Sequence, residues 1–204
     1  TFRDLGADCV IEGGQGHNPS AEAFTEAFRK VNADTVFVLP NNGNITMAAR
    51  QAASLYKDSD IRVMESNDIG EGYAAMTMLS YDSGDPDAIE ADLKAAMVGV
   101  KTAVVCRSVR EARINGVGIH PDDFIGFTGK TMICADSDRL CCVMKLLDGM
   151  KMKDHEYVIA IYGKDTSDDD RSVFRSRFSE SFPAKEFYEI DGGQDVYDFM
   201  LILQ

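Results

Sequence analysis

The chain has 204 residues, 45% of them hydrophobic, and its 34 acidic against 21 basic side chains give a formal charge of −13. That is ample apolar material for one large core or two small ones, while a pI near 4.6 excludes the basic stripe that a nucleic-acid surface needs to neutralise phosphates. No apolar run approaches the ~20 residues of a membrane-crossing helix. Five cysteines without a CxxC spacing and three scattered histidines exclude a zinc site and read as reduced core thiols in a cytoplasmic protein.

The opening Thr1-Phe2-Arg3-Asp4-Leu5-Gly6 reads as the end of a helix already begun, so a piece of a longer protein is expected. Periodicity then predicts strands at about 8–12, 35–39, 61–65 and 101–107, alternating with helices near 19–32, 43–56, 69–79 and 86–98. Asn18 is placed to cap the first helix with Pro19 at its first position. Ala48, Ala49, Ala52 and Ala53 give the second helix a small-residue face that can lie close against a sheet. Such alternation predicts right-handed βαβ units and a parallel sheet.

The polar turn Ser80-Tyr81-Asp82-Ser83-Gly84-Asp85-Pro86-Asp87 marks a change in composition, and a subdomain boundary is expected near it. Beyond it come short strands at Gly116 to Ile119, Asp123 to Thr128 and Thr131 to Ala135, joined by Pro121-Asp122 and Gly129-Lys130, which read as antiparallel hairpins. A helix at about 136–149, a strand at 157–162, a helix near 168–181 and strands at 186–190 and 197–203 close the chain. The fold class expected is therefore α/β: a parallel, helix-flanked sheet subdomain over 1–100, then a mixed α+β subdomain over 101–204. The acidic loop from Lys164 to Asp170 lacks the alternating ligands and distal glutamate of a calcium loop and reads as helix-capping acids.

Polar turns after successive parallel strands converge on one side of a sheet, where open α/β sheets bind ligands or partners. The candidates are Gly13, Gly14, Gln15, His17, Asn18 and Ser20 after the first strand, Asn41, Asn42 and Asn44 after the second, and Ser66 and Asn67 after the third. Gly192, Gly193 and Gln194 repeat the Gly-Gly-Gln motif at a later strand end. These turns carry amides and hydroxyls but no lysine or arginine, which suits neutral or singly charged groups rather than a nucleotide triphosphate. His17 has no serine, cysteine or carboxylate assignable beside it, and no Walker or kinase Gly-rich loop exists, so no catalytic residue is assigned.

Glu12-Gly13-Gly14-Gln15 with Asn18-Pro19-Ser20, Val38-Leu39-Pro40-Asn41-Asn42 with Asn44-Ile45, and Gly192-Gly193-Gln194 with Val196-Tyr197 resemble the C-terminal region of the A subunit of fatty acid kinase, a dihydroxyacetone-kinase-like family. The resemblance covers the whole chain, including Ile114-Asn115-Gly116-Val117 and Asp123-Phe124-Ile125-Gly126. It implies an architecture related to DegV and dihydroxyacetone kinase, and a bacterial cytoplasmic phosphotransfer system serving phospholipid metabolism. In that system ATP and magnesium belong to an N-terminal domain of the parent protein, which makes acyl phosphate from fatty acid held by a DegV-like fatty-acid-binding partner. This C-terminal region, without a cofactor of its own, docks that partner. Where the family commonly reads Gly-Gly-Gln-Thr-Met-Asn-Pro-Ser, this chain carries Gly16-His17 in place of Thr-Met. Two other readings stay open: a site of its own for a dihydroxyacetone-like molecule or an acyl carboxylate, and a homodimerisation domain.

Overall fold

The computed structural model describes residues 1–13, 18–80, 82–114 and 116–204, which divide into two compact units, Thr1–Val100 and Lys101–Gln204. In the first, helix α1 (Ala21–Val31), strand β1 (Thr35–Val38), helix α2 (Gly43–Leu55) and strand β2 (Asp60–Val63) are followed by helices α3 (Ile69–Thr77) and α4 (Pro86–Met97). Strands β1 and β2 pair in parallel, Thr35 opposite Asp60 through Val38 opposite Val63, with α2 as the crossover. Side chains alternate across a strand, and β1 uses both faces. Val36 and Val38 meet Phe24, Phe28, Ile45, Ala49 and Ala52 from α1 and α2. Phe37 and Leu39 pack toward Met64, Ala75, Ile89 and Leu93 on the side of α3 and α4. Ala49 and Ala52 are wholly buried, so the small-residue face of α2 lies against the sheet.

Three expectations need correction in this unit. Residues 8–12 form no strand: Val10 and Ile11 are the only large aliphatic side chains there, and Ile11 packs against the α1–α2 cluster with no ladder partner among the described residues. The cap of α1 is Ser20, whose hydroxyl accepts from the Ala23 N–H, and not Asn18; Pro19 is buried ahead of it. The boundary falls after Val100 and not near 80–87: α3 and α4 belong to one unit, and at the start of α4 Asp85 accepts from the Asp87 N–H while Pro86 stands in the first turn.

The second unit is built on a six-stranded sheet in the order β7-β6-β3-β10-β8-β9. Its strands are β3 (Lys101–Arg107), β6 (Phe124–Thr128), β7 (Thr131–Asp136), β8 (Tyr157–Tyr162), β9 (Glu186–Asp191) and β10 (Tyr197–Leu203), and a hairpin of β4 (Ala112–Ile114) and β5 (Val117–Ile119) leaves the sheet after β3. The expected 101–107 strand therefore does not extend the parallel sheet; it pairs antiparallel with both β6 and β10. Among the described residues of this sheet only β8 and β9 run in parallel, through helix α6 (Asp168–Ser181). Helix α5 (Arg139–Gly149) lies with α6 over the inward residues Ala103, Val105, Val158, Ala160, Tyr162, Phe199, Leu201 and Leu203. Ser167 and Asp170 close a capping box that fixes where α6 begins.

Two bulges interrupt the ladders of this sheet. Residue 198 is extra where Tyr197 faces Cys106 and Phe199 faces Val105. Ile133 is extra where Gly126 faces Cys134 and Phe127 faces Met132. An extra residue bends its strand and re-aims a side chain.

Candidate functional site

In the first unit the carboxyl ends of β1 and β2 come together through the turns after them. The Asn41 N–H donates to the Ser66 hydroxyl at 2.9 Å, and Ser66 is wholly buried. Asn41 adopts a left-handed conformation, φ 55°, which asparagine tolerates better than most residues. Its side chain lies on α3 at Gly72, where an added Cβ would fall 1.9 Å from Asn41 Oδ1. That oxygen is buried and has no partner among the described residues. Asn42 caps α2 by accepting from the Asn44 N–H at 3.0 Å, leaving the Asn44 side chain exposed in the first turn. Asn67 is held by Glu71: its N–H and Nδ2 both donate to Glu71 Oε2, at 2.6 and 3.2 Å, and Nδ2 also donates to the Glu65 carbonyl. Asp68 caps α3 through the Gly70 and Glu71 N–H groups.

Of the residues singled out from sequence, then, Asn41, Asn42, Ser66 and Asn67 form one cluster with Asn44 at its edge. Gly13 and Asn18 are exposed and Ser20 is the cap of α1; Gly14, Gln15 and His17 lie outside the described residues. Gly192, Gly193 and Gln194 belong to the second unit, and their polar groups serve the local backbone. The N–H groups of Gly192 and Gly193 both donate to the Tyr162 carbonyl. Gln194 Nε2 donates to the Ile161 carbonyl at 3.1 Å. A Cβ at Gly192 would crowd the branched Ile161 side chain on β8, at 2.4 Å from its Cγ2, so glycine lets the turn lie close to the strand.

Electrostatically the cluster is rimmed by Glu65, Asp68 and Glu71, with Arg50 paired to Glu65. Helix-end N–H groups that would receive an anion are already taken by Asn42 and Asp68. What the arrangement offers is hydrogen bonding to a neutral polar group, together with the one orphaned atom of Asn41. Among the described residues no group of three His, Cys, Asp or Glu side chains is placed to hold a metal ion, and no helix is long and apolar enough to cross a membrane.

Sequence reasoning missed Gly72 and Glu71, which complete the cluster from α3. It also missed a groove of about 350 Å³ in the second unit, at the carboxyl ends of β8 and β9. There Arg171 lies over the Tyr162 ring at 4.9 Å and bonds Asp191 at 3.1 Å, while Arg175 pairs with Glu189 at 2.6 Å. Burial, reinforced by the 2.6 Å bond to Glu189, pushes the Tyr162 phenol up. Each guanidinium has its own carboxylate and Asp168 adds a third acid to the lining, so the positive charge of the groove is cancelled from within. Arg171 and Arg175 four apart on one helix, opposite acids two apart on a strand, are the signal that would have pointed to it.

The fold is that of the DegV proteins. The Streptococcus pneumoniae fatty acid kinase B3 protein loaded with linoleic acid superposes with a TM-score of 0.67 at 14% identity, over 91% of this chain and 76% of that one. A DegV lipid-binding protein from Thermotoga maritima gives 0.63 at 12% identity, over 100% and 80%. The family is more specific. Residues 1–204 match the family model for the C-terminal region of proteins like the A subunit of fatty acid kinase, and the chain belongs to that family. It is 37% identical over 200 residues to protein YloV of Bacillus subtilis, and 30% identical over 204 to an uncharacterised protein of Staphylococcus haemolyticus. These matches take in 98% and 100% of this chain but only 36% of each relative.

Proposed function

We propose that this chain is the non-catalytic C-terminal domain of a bacterial cytoplasmic fatty-acid kinase, and that it docks a DegV-like fatty-acid-binding partner for acyl phosphate formation. ATP and magnesium are handled by a separate N-terminal domain of the parent protein. The observation that carries this reading is the family match along the whole chain, together with the small share that it spans of each relative. The site supports it. The strand ends where an α/β sheet would hold a phosphate are filled by Asn41, Ser66, Asn67 and Glu71 acting on one another, and acids rim them.

The test mixes this chain with the DegV-like protein of the same organism and follows complex formation by sedimentation, with and without ATP. A complex is expected in both conditions; failure to associate in either sinks the docking role. With ATP, magnesium and either fatty acid or dihydroxyacetone, the purified chain alone is expected to give no phosphorylated product, and turnover that co-purifies with it through successive columns refutes a non-catalytic domain.

A second reading, a small-molecule site for a dihydroxyacetone-like compound or an acyl carboxylate, is favoured by the orphaned Asn41 Oδ1. Amide oxygen and nitrogen are exchanged by a flip, so this position can accept or donate. In the Asn41→Ala, Asn42→Ala double variant the lost cap costs about 1 kcal/mol of stability. On this reading, titration of the variant with dihydroxyacetone or a short-chain fatty acid shows binding lost. Unchanged binding makes the asparagines turn-formers only.

A further inference from the structure

The sulfur atoms of Cys134, on β7, and Cys142, on α5, are 3.8 Å apart. We propose that these two thiols are a modification site, oxidised by a peroxide to an intrachain disulfide that ties β7 to α5.

The surroundings are arranged for it. Cys134 is half-buried while Cys142 is fully buried, so an oxidant from solvent reaches Cys134 first. The contact with the Cys142 S–H draws the Cys134 thiol down, and nearby Lys145 acts in the same direction, which enriches the nucleophilic thiolate. Cys142 is pushed up by the same contact and by burial, so it stays a thiol. Its one S–H can turn either to Cys134 or to the Phe124 carbonyl, 3.3 Å away, and the Cys134 thiol in turn can donate to the Cys142 carbonyl, also at 3.3 Å, until it ionises. A disulfide needs its sulfurs about 2.05 Å apart, and the strand can supply the movement. Cys134 comes just after the Ile133 bulge on an edge strand, where one ladder alone restrains it. Opposite stands Gly126, whose lack of a Cβ makes the room: an added carbon would meet Cys134 Sγ at 2.8 Å.

The chemistry balances with hydrogen peroxide as oxidant. The Cys134 thiolate attacks one peroxide oxygen, the O–O bond breaks, and the hydroxide that leaves takes up the proton the thiol had released, so one water forms as Cys134 becomes the sulfenic acid. Cys142 sulfur then attacks Cys134 sulfur, an S–S bond forms, and the hydroxyl leaves as a second water with the Cys142 proton. Two thiols lose two electrons and one peroxide gains two. The other cysteines take no part: Cys141 is raised by Asp138 beside it, Cys106 is raised by burial, and Cys9 belongs to the Thr1–Val100 unit.

Hydrogen peroxide at a small molar excess is the probe, read by thiol titration and by peptide mass mapping without reductant. Two of the five thiols are expected to disappear, with peptides containing Cys134 and Cys142 cross-linked, and dithiothreitol restores all five. Cys142→Ala is expected to leave Cys134 as a sulfenic acid that dimedone traps, whereas Cys134→Ser keeps its remaining four thiols. Cys141→Ser, a control next in sequence, still loses two. Retention of five thiols in the wild type overturns the proposal, as does a cross-link involving Cys9, Cys106 or Cys141, or dimedone labelling of the wild type with no cross-link. Circular dichroism of each variant before oxidation shows whether it is folded, and Cys142→Ser replaces Cys142→Ala if that variant is not.

Discussion

Replacing Phe174 with alanine lowers the stability of the Lys101–Gln204 unit by about 3–5 kcal/mol, the usual cost of emptying a large aromatic site that cannot collapse. Phe174 is wholly buried, and its ring meets those of Phe199 at 5.1 Å, Phe187 at 5.6 Å and Phe178 at 6.2 Å, so it joins α6 to β9 and β10 at once. Those partners sit on different elements and cannot all close in together. Because a domain's net stability is about 5–15 kcal/mol, a loss of this size leaves the unit near its threshold. Urea unfolding followed by circular dichroism measures it. Val173, one position away and 42% exposed, is the contrast: its alanine variant stays within about 0.5 kcal/mol of the parent. Equal effects at the two positions would show that α6 does not anchor the core as described.

Arg139→Met is expected to cost about 3–5 kcal/mol, because removing one partner of a buried ion pair strands the other charge. The residue left behind is Asp198, only 9% exposed and 3.0 Å from the Arg139 guanidinium, which also bonds Asp170 at 2.9 Å. Burial pushes the Asp198 carboxyl up, and Arg139 and Arg107 oppose that. A carboxyl whose folded value lies above its unfolded one favours folding at low pH, and that contribution is lost as pH rises through the folded value. The deficit of Arg139→Met against the wild type therefore shrinks as the pH is lowered and the carboxyl protonates, and is largest at neutrality. Asp198→Asn added to Arg139→Met removes the stranded charge and recovers most of the loss at pH ~7. A deficit that is flat with pH, or that the asparagine does not repair, would assign the cost to packing over Phe124, where the Arg139 guanidinium lies 5.2 Å from the ring centre.

Local signals read well in this sequence because local chemistry sets them. Helix α6 spans 168–181 as its capping box dictates, and Gly129-Lys130 closes a hairpin between β6 and β7. The turns that carry Asn41 and Ser66 are another matter: these residues stand 25 apart in the chain, and only the parallel pairing of β1 and β2 brings the Ser66 hydroxyl within reach of the Asn41 N–H. Allegiance of an element to a sheet was not legible either. Lys101–Arg107 has the apolar alternation of any strand, and only its long-range pairing with β6 and β10 places it in the antiparallel sheet. Bulges leave no mark in composition, which is why neither the aim of Asp198 at Arg139 nor the nearness of Cys134 to Cys142 could be read beforehand.

Strand β9 ends the six-stranded sheet, paired to β8 on one side only. An open border of this kind has unused backbone donors and acceptors, and it invites strands from other molecules to add on. Glu186, Glu189 and Asp191 lie along it, so a second molecule laid against the first would set carboxylates beside carboxylates. The same acids that pair with Arg175 and Arg171 thus also guard this border against the addition of a foreign strand.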